Sequence, residues 1–227
     1  MKSHADLAWG AATAAAMVGA LYLAFVWVPT EASMGIVQRI FYFHMPPFVV
    51  AVVAIIVGMA ASVRYLATRN LDWDDWALAS IEVGLVFDTM NLITGPFWAK
   101  PVWGIWWTWD ARLTSAFVLW LMFVGYLILR RAIEEPGQRA ALSAVVTMFQ
   151  FVGAIIVYMA NRWWRTQHPQ PVLAGGEGSG LAPEMRVALL GCLAAFLVLY
   201  LCLMRLRLRL ARLGREVEGL RRTVHSL

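Results

Sequence analysis

Six stretches of the chain are apolar almost throughout, and polar or proline-containing segments separate them. A bilayer core about 30 Å thick requires about 20 apolar residues for one helical crossing, and each stretch meets that length. The pattern predicts six membrane-spanning helices, at about residues 8–28, 47–66, 76–95, 113–130, 140–160 and 185–206. We therefore expect an all-α integral membrane bundle of six transmembrane helices.

Polar residues interrupt the third stretch, which contains Glu82, Asp88 and Asn91. Ionisable side chains inside a span are costly and usually face protein or water. Asp88 and Asn91 share a helix face with Gly84 and Gly95. Helix packing or an interhelical hydrogen bond is therefore the first interpretation, and a ligand or proton role is the second.

The most unusual pattern lies in residues 95–114, which we call the tryptophan segment. It holds five of the chain's 12 tryptophans. Two prolines and two glycines predict a break in the helix, whereas Trp103, Trp106, Trp107 and Asp110 recur at the spacing of one helix face. We therefore expect a short interfacial helix that lies flat on the surface of the membrane.

Two interpretations of the tryptophan segment are open. Tryptophan is enriched wherever a membrane protein meets the aqueous interface, so the rings could form an ordinary aromatic belt. The density of rings, with Asp110 and Arg112 among them, favours instead a binding platform. Aromatic faces stack well on a large planar apolar ligand, and charges at the edge suit its anionic groups.

Composition agrees with a membrane protein, since 61% of the 227 residues are hydrophobic, 15% are charged and the mean hydropathy is +0.65. The connections leave no room for a separate soluble domain. Cys192 and Cys202 both fall in the last stretch, about 15 Å apart along one helix, beyond the reach of a disulfide. The absence of C-x-x-C and C-x-x-C-H motifs argues against a thioredoxin-like reductant and a covalent c-type cytochrome.

Charge predicts the orientation of the chain. With six crossings, both termini share one side, and that side holds most of the 19 lysines and arginines, largely through the C-terminal tail. Cytoplasmic segments carry an excess of such residues, so we expect both termini in the cytoplasm. Alternation of the spans then places His44, the tryptophan segment and His168 together on the outer face.

Two histidines that flank a tryptophan platform suggest a haem site, although a single histidine at a membrane edge is more often a plain interface residue. Neutral imidazole is a standard axial ligand of haem iron, so His44 and His168 are the candidate ligands. Basic side chains on the same face could pair with haem propionates. These candidates are Arg39, Lys100, Arg112, Arg162 and Arg165.

A family resemblance lies in residues 103–114, which read WGIWWTWDARLT. This run resembles the tryptophan-rich WWD signature of the haem-handling proteins of cytochrome c assembly. Residues 95–101, which read GPFWAKP, are similar to the lead-in of the cytochrome c maturation protein C branch. The length, the six spans and the surroundings of His44 and His168 also fit that branch, so the likeness covers about residues 9–206.

The resemblance implies a protein that is not an enzyme and that presents haem to a haem chaperone on the periplasmic side of the inner membrane, for c-type cytochrome assembly. It implies a transiently and non-covalently bound b-type haem, with His44 and His168 as axial ligands. The implied haem and chaperone platform comprises Trp103, Trp106, Trp107, Trp109 and Asp110, with Arg39 and Arg112 beside it. The implied partners are the chaperone (maturation protein E), a small single-span subunit (protein D) and an ABC-type pair (proteins A and B).

Two other classes of function are alternatives. A haem-b electron-transfer subunit would need histidines that face each other within spans, and no predicted span contains one. An ABC-type permease subunit would need a cytoplasmic coupling helix, and the predicted inner loops are too short for one. The sequence has neither a phosphate-binding glycine loop nor a catalytic triad pattern, and we expect no nucleic-acid partner.

The tail, residues 207–227, is predicted to form a basic cytoplasmic helix after a six-span haem-handling domain of residues 1–206. An apolar seam with heptad spacing begins just before it and runs along it. The seam consists of Leu206, Leu210, Leu213, Val217, Leu220 and Val224. Arginines surround this seam, so the helix either rests on anionic membrane lipid or docks against an assembly partner.

Overall fold

The computed structural model describes the backbone of residues 4–168 and 180–225, and the side chains of these residues as far as 217. The helices are α1 His4–Tyr22, α2 Phe41–Thr68, α3 Leu71–Trp103, α4 Ala111–Ala132, α5 Pro136–Trp163 and α6 Pro183–His225. A π-helical turn, Leu23–Trp27, prolongs α1, and a 3-10 turn, Ile36–Ile40, leads into α2. Six helices in this part of the chain are long and apolar enough to cross a membrane, which confirms the predicted all-α fold class.

The tryptophan segment differs from its prediction. Instead of breaking at the prolines, α3 continues through Pro96 and Pro101 to Trp103, since a helix packed in a membrane bundle tolerates proline. Gly104 then ends α3 with a φ of +77°, a left-handed conformation that glycine adopts without steric cost. The separate short helix expected through Trp106 and Asp110 is not found, because the described residues 104–110 form a non-helical connection.

Hydrogen bonds cap the helix ends on both sides of that connection, and the two caps set where it begins and ends. The Gly104 amide donates to the Lys100 carbonyl at 2.9 Å, closing the last turn of α3. At the other end, the Asp110 carboxylate accepts a hydrogen bond from the Leu113 amide at 2.9 Å and starts α4. Trp103, Trp106, Trp107 and Asp110 therefore have the spacing of one helix face without lying on one helix. Trp103 ends α3, Asp110 caps α4, and the other two lie in the connection between them.

Helix α2 lies at the centre of the bundle, where it packs against α3, α5 and α6. Helix α1 packs on α6, and α4 packs on α5. Buried polar side chains join the central helices: the Ser80 hydroxyl of α3 donates to the Ala54 carbonyl of α2 at 2.7 Å and shares a hydrogen bond with the Tyr200 hydroxyl of α6, also at 2.7 Å. These bonds fix α3 and α6 against the same side of α2.

Glycines allow α2 and α3 to approach closely. A Cβ atom at Gly84 of α3 would lie 2.8 Å from the Ala54 Cβ of α2, and one at Gly58 of α2 would lie 2.9 Å from the Ile81 Cδ1 of α3. Small residues at such positions let transmembrane helices pack backbone to backbone. Asp88, farther along α3, is buried, and its Oδ2 atom has no hydrogen-bond partner among the described residues, so both interpretations of this side chain stay open.

At the end of the bundle remote from the tryptophan segment, ion pairs join the helices. Asp74 of α3 and Arg130 of α4 form a buried two-pronged pair, with N–O distances of 2.6 and 2.8 Å. Arg205 and three arginines of the tail pair with acids of the same chain. The pairs are Arg205 and Arg209 with Asp6, Arg207 with Glu82, and Arg215 with Asp72 and Asp75.

Helix α6 passes without a break from the bundle into the tail, as far as His225. The first four positions of the predicted seam, from Leu206 to Val217, are exposed, whereas the side chains of Leu220 and Val224 lie outside the described residues. The arginines beside the exposed positions hold the tail against the bundle, a role that neither interpretation of the tail included.

We expect Gly84→Ala to lower the free energy of unfolding by about 1–3 kcal/mol, the usual cost of overpacking a well-packed contact. Gly125→Ala on α4 is the matched control, because no atom lies within 4 Å of the added Cβ. Removing this helical glycine should stabilise the protein by up to about 1 kcal/mol. Chemical denaturation in detergent micelles measures both values, and equal losses would contradict the close α2–α3 contact.

Candidate functional site

A cavity of about 990 Å³ opens at the end of the bundle where α3 ends and α4 begins. Its volume is that of a site for a large organic ligand. Its walls come from α2, α3, α4, α5 and the connection between α3 and α4. The site residues from the sequence prediction that line it are His44, His168, Trp103, Trp106, Trp107 and Arg112. Segments far apart in the chain thus meet at one end, as the alternation of spans predicted.

His44 lies near the start of α2, with its ring against α3. The ring lies edge-on to Trp98 at a centroid distance of 5.6 Å, and a Cβ atom at Gly95 would lie 3.4 Å from its Cε1. Its Nδ1 is 3.0 Å from the Thr94 hydroxyl oxygen, and that hydroxyl donates to the Met90 carbonyl at 2.8 Å. When the hydroxyl proton is on the Met90 carbonyl, the Thr94 oxygen can only accept from Nδ1, so this geometry favours the tautomer in which Nδ1 carries the imidazole proton. In that tautomer the Nε2 atom keeps its lone pair.

His168 follows α5, and its ring lies edge-on to Trp103 at a centroid distance of 5.2 Å. Its Nδ1 atom is buried and has no hydrogen-bond partner among the described residues. Burial, with the nearby charge of Arg112 as a second cause, lowers the pKa of His168 to about 4, although Asp110 opposes the shift. His168 is therefore a neutral imidazole at neutral pH and can act as a ligand.

Arg112 is the cation among the described residues that line the cavity. Its Nη1 donates to the Val157 carbonyl at 3.1 Å and to the Asn161 Oδ1 at 3.3 Å, both on α5. The guanidinium carbon lies 5.5 Å from the centroid of the Phe48 ring. These contacts hold a positive charge at the edge of an otherwise mainly apolar cavity, where an anionic group of a ligand would find it.

Two residues of the cavity lining carry a hydrogen-bond donor that has no partner among the described residues. The indole Nε1 atoms of Trp98 and Trp107 are buried, and no acceptor among the described residues contacts them. A buried donor without an acceptor costs about 1–3 kcal/mol, so a small rotation of either ring towards a ligand oxygen would recover that free energy. Trp106 stands at the rim, 53% exposed and edge-on to Phe97.

Three of the expected site residues lie elsewhere. Trp109 is 73% exposed and packs on Trp107 and Phe117 outside the cavity. The Asp110 carboxylate caps α4 and also accepts from the Gln167 amide at 3.4 Å, which ties the connection to the segment that carries His168. Arg39 donates to the carbonyls of Ala24, Phe25 and Val28 at the end of the first span, and it does not line the cavity.

Sequence reasoning missed Thr94 and Trp98, the two residues that contact the His44 ring. The contact between His44 and Thr94 joins positions 50 residues apart on two helices. No spacing along the chain signals such a pair. A possible clue was Gly95 beside them, because a glycine in a helix often marks the close approach of another group.

Comparison with known proteins identifies the family. The family model described as "Heme exporter protein C" matches residues 2–223. The chain belongs to this family. It is 32% identical to the "Heme exporter protein C" of Rhodobacter capsulatus, over 92% of this chain and 87% of the relative. The protein of the same name from Escherichia coli strain K12 is 30% identical, over 86% of this chain and 80% of the relative.

A third relative, "Heme exporter protein C" of Bradyrhizobium diazoefficiens, is 34% identical over 88% of this chain and 73% of its own length. The matches therefore extend over nearly all of the membrane bundle, including both histidine-bearing segments and the tryptophan segment. The resemblance noted from residues 95–114 is confirmed by family membership.

Thr94→Val should abolish the preference for the Nδ1–H form of His44, because valine has the same shape but cannot accept the hydrogen bond. Thr94→Ser is the control and should preserve it. Nitrogen-15 NMR of ring-labelled histidine in detergent-solubilised protein measures the tautomer. An unchanged His44 signal in the valine variant would show that Thr94 does not orient the ring.

Proposed function

We propose that this chain handles haem and delivers it at the outer face of the cytoplasmic membrane, for the assembly of c-type cytochromes. The observation that carries the proposal is the meeting of His44 and His168 in one aromatic-lined cavity. The relatives are named exporters of haem, and this name describes transport proteins rather than enzymes.

The cavity fits haem better than it fits a bare metal ion. Among the described residues, no group of three or more histidine, cysteine, aspartate or glutamate side chains could hold a metal. Two neutral imidazoles suit an iron atom whose other four ligands come from a porphyrin. Trp103 and Trp107 offer apolar walls to such a planar ring.

The propionates of haem need cations and hydrogen-bond donors. Arg112 supplies the charge, and the unpartnered indole nitrogens of Trp98 and Trp107 supply donors in the same cavity. The proposed roles are therefore axial ligation by His44 and His168, ring contact by Trp103, Trp106 and Trp107, and propionate binding by Arg112. We assign Asp110 to the support of the site, through its bonds to Leu113 and Gln167.

Binding is proposed to be non-covalent, transient and of b-type haem. Cys192 and Cys202 lie on α6 and do not line the cavity, so neither is placed to form a thioether with a vinyl group. The rim is open at Trp106, which is 53% exposed, and Trp109 outside the cavity is 73% exposed. We propose that these two exposed tryptophans are the contact surface of the haem chaperone, of maturation protein E type.

The wider assembly follows the family resemblance. We propose an inner-membrane location with both termini cytoplasmic and the haem cavity periplasmic, and partners of the protein D type and the ABC-type proteins A and B. The six-span part, residues 1–206, holds the haem cavity, and residues 207–227 form the basic cytoplasmic tail. A haem-b electron-transfer role has less support, because the two histidines lie at one end of the bundle and not across its middle.

His44→Ala and His168→Ala should each lower haem affinity by more than about tenfold, a loss of 1.4 kcal/mol, since each removes one proposed iron ligand. The purified variants should lose the six-coordinate bis-histidine spectrum. His4→Ala at the start of α1, far from the cavity, is the control and should match the parent. Full haem content and the parent spectrum in both single variants would exclude axial ligation by these residues.

Trp106→Ala combined with Trp107→Ala should abolish haem transfer to the chaperone and leave membrane insertion intact, because the spans keep their apolar length. Trp163→Ala combined with Trp164→Ala is the matched control, since these rings lie at the same end but do not line the cavity. The measurement is the amount of chaperone-bound haem. Equal and modest losses in both double variants would support an aromatic belt instead.

A further inference from the structure

A second cavity lies at the opposite end of the bundle and does not belong to the haem site. It has a volume of about 770 Å³. The start of α3, the end of α4 and the start of α5 form its walls, and Gly214 and Arg215 of α6 close one side. Four arginines and three acids line it.

All three acids of this cavity have basic partners. Asp74 forms the buried pair with Arg130, Asp75 pairs with Arg215, and Glu82 pairs with Arg207. The two remaining arginines of the lining are Arg131 and Arg139. The cavity therefore holds a surplus of positive charge at two defined positions.

Neither Arg131 nor Arg139 makes an ion pair or a side-chain hydrogen bond within the described part of the chain, and the Arg139 Nε atom is buried without a partner. The acid whose charge interacts with Arg139 is Glu135. Its carboxylate is engaged at the start of α5, where it accepts hydrogen bonds from the Gly137 and Gln138 amides. Arg131 is exposed and Arg139 is half-buried, so these two guanidinium groups are the charges of the cavity that an external anion would meet.

The lining also contains apolar side chains. Leu78 of α3 and Leu127 of α4 line the cavity together with the arginines, and Glu82, one turn farther along α3 than Leu78, lines it as well. A free inorganic anion would gain nothing from these side chains. A phospholipid would place its phosphate between the arginines and its acyl chains along the leucines, and basic pockets between transmembrane helices are typical binding sites for anionic lipid headgroups.

We propose that this cavity binds one anionic phospholipid, with Arg131 and Arg139 on the phosphate and Leu78 and Leu127 on the acyl chains. The bound lipid would bridge α3, α4, α5 and the tail, all of which contribute to the walls. This binding does not depend on haem handling, and the tests of the two proposals are separate.

The test uses the full chain in a neutral detergent, with bound lipid measured by native mass spectrometry and stability measured by thermal unfolding. Phosphatidylglycerol should bind and raise the unfolding temperature, whereas phosphatidylcholine and inorganic phosphate at equal concentration should have little effect. Equal protection by inorganic phosphate would overturn the lipid assignment, and equal binding of phosphatidylcholine would overturn the role of the arginines.

Arg139→Gln should weaken phosphatidylglycerol binding by about tenfold, because it removes charged hydrogen bonds to the phosphate. Arg131→Gln changes an exposed side chain, so it should fold normally and serves as a second variant with the same expected direction. Arg212→Gln removes an exposed charge of the nearby tail that does not line the cavity. If Arg212→Gln weakens binding as much as the other two, general surface charge explains the effect and the site is excluded.

Discussion

The close contact between α2 and α3 is the constraint on which the proposed haem site depends. Gly84 removes the Cβ atom that would collide with Ala54, so the two helices lie nearly backbone to backbone. Farther along the same pair, the His44 ring fits over Gly95 and reaches Thr94. The contact that stabilises the bundle therefore also orients a proposed iron ligand.

Much of the architecture could be predicted from the sequence, because a membrane limits what an apolar segment can form. The length of each apolar stretch predicts a crossing, and the alternation of crossings assigns each connection to one end of the bundle. The alternation thus assigns His44, His168 and Trp103 to the same end of the bundle without knowledge of any contact. This part of the site was predictable from the alternation of membrane crossings and not from the secondary-structure propensity of single segments.

The remaining features depend on contacts that leave no periodic signal. The Asp110 carboxylate caps a helix, and Arg39 donates hydrogen bonds to carbonyls at the end of the first span. From the sequence alone, a role in ligand binding was equally reasonable for both residues. The tryptophan spacing matched a helix that Gly104 and Asp110 do not allow. Thr94 has a role in the site only because α2 brings the His44 ring into contact with its hydroxyl.

The short connection between α3 and α4 has a mechanical consequence. Residues 104–110 are tied to α3 by the Gly104 cap, to α4 by the Asp110 cap, and to the His168 segment through the Gln167 amide. The rings on this connection therefore lie between fixed ends, and a change in the tilt of α3 against α4 would move those ends. The exposed Trp109 packs edge-on against Trp107, with 5.7 Å between the ring centroids, so a displacement of Trp109 would reach the cavity wall through a single ring contact.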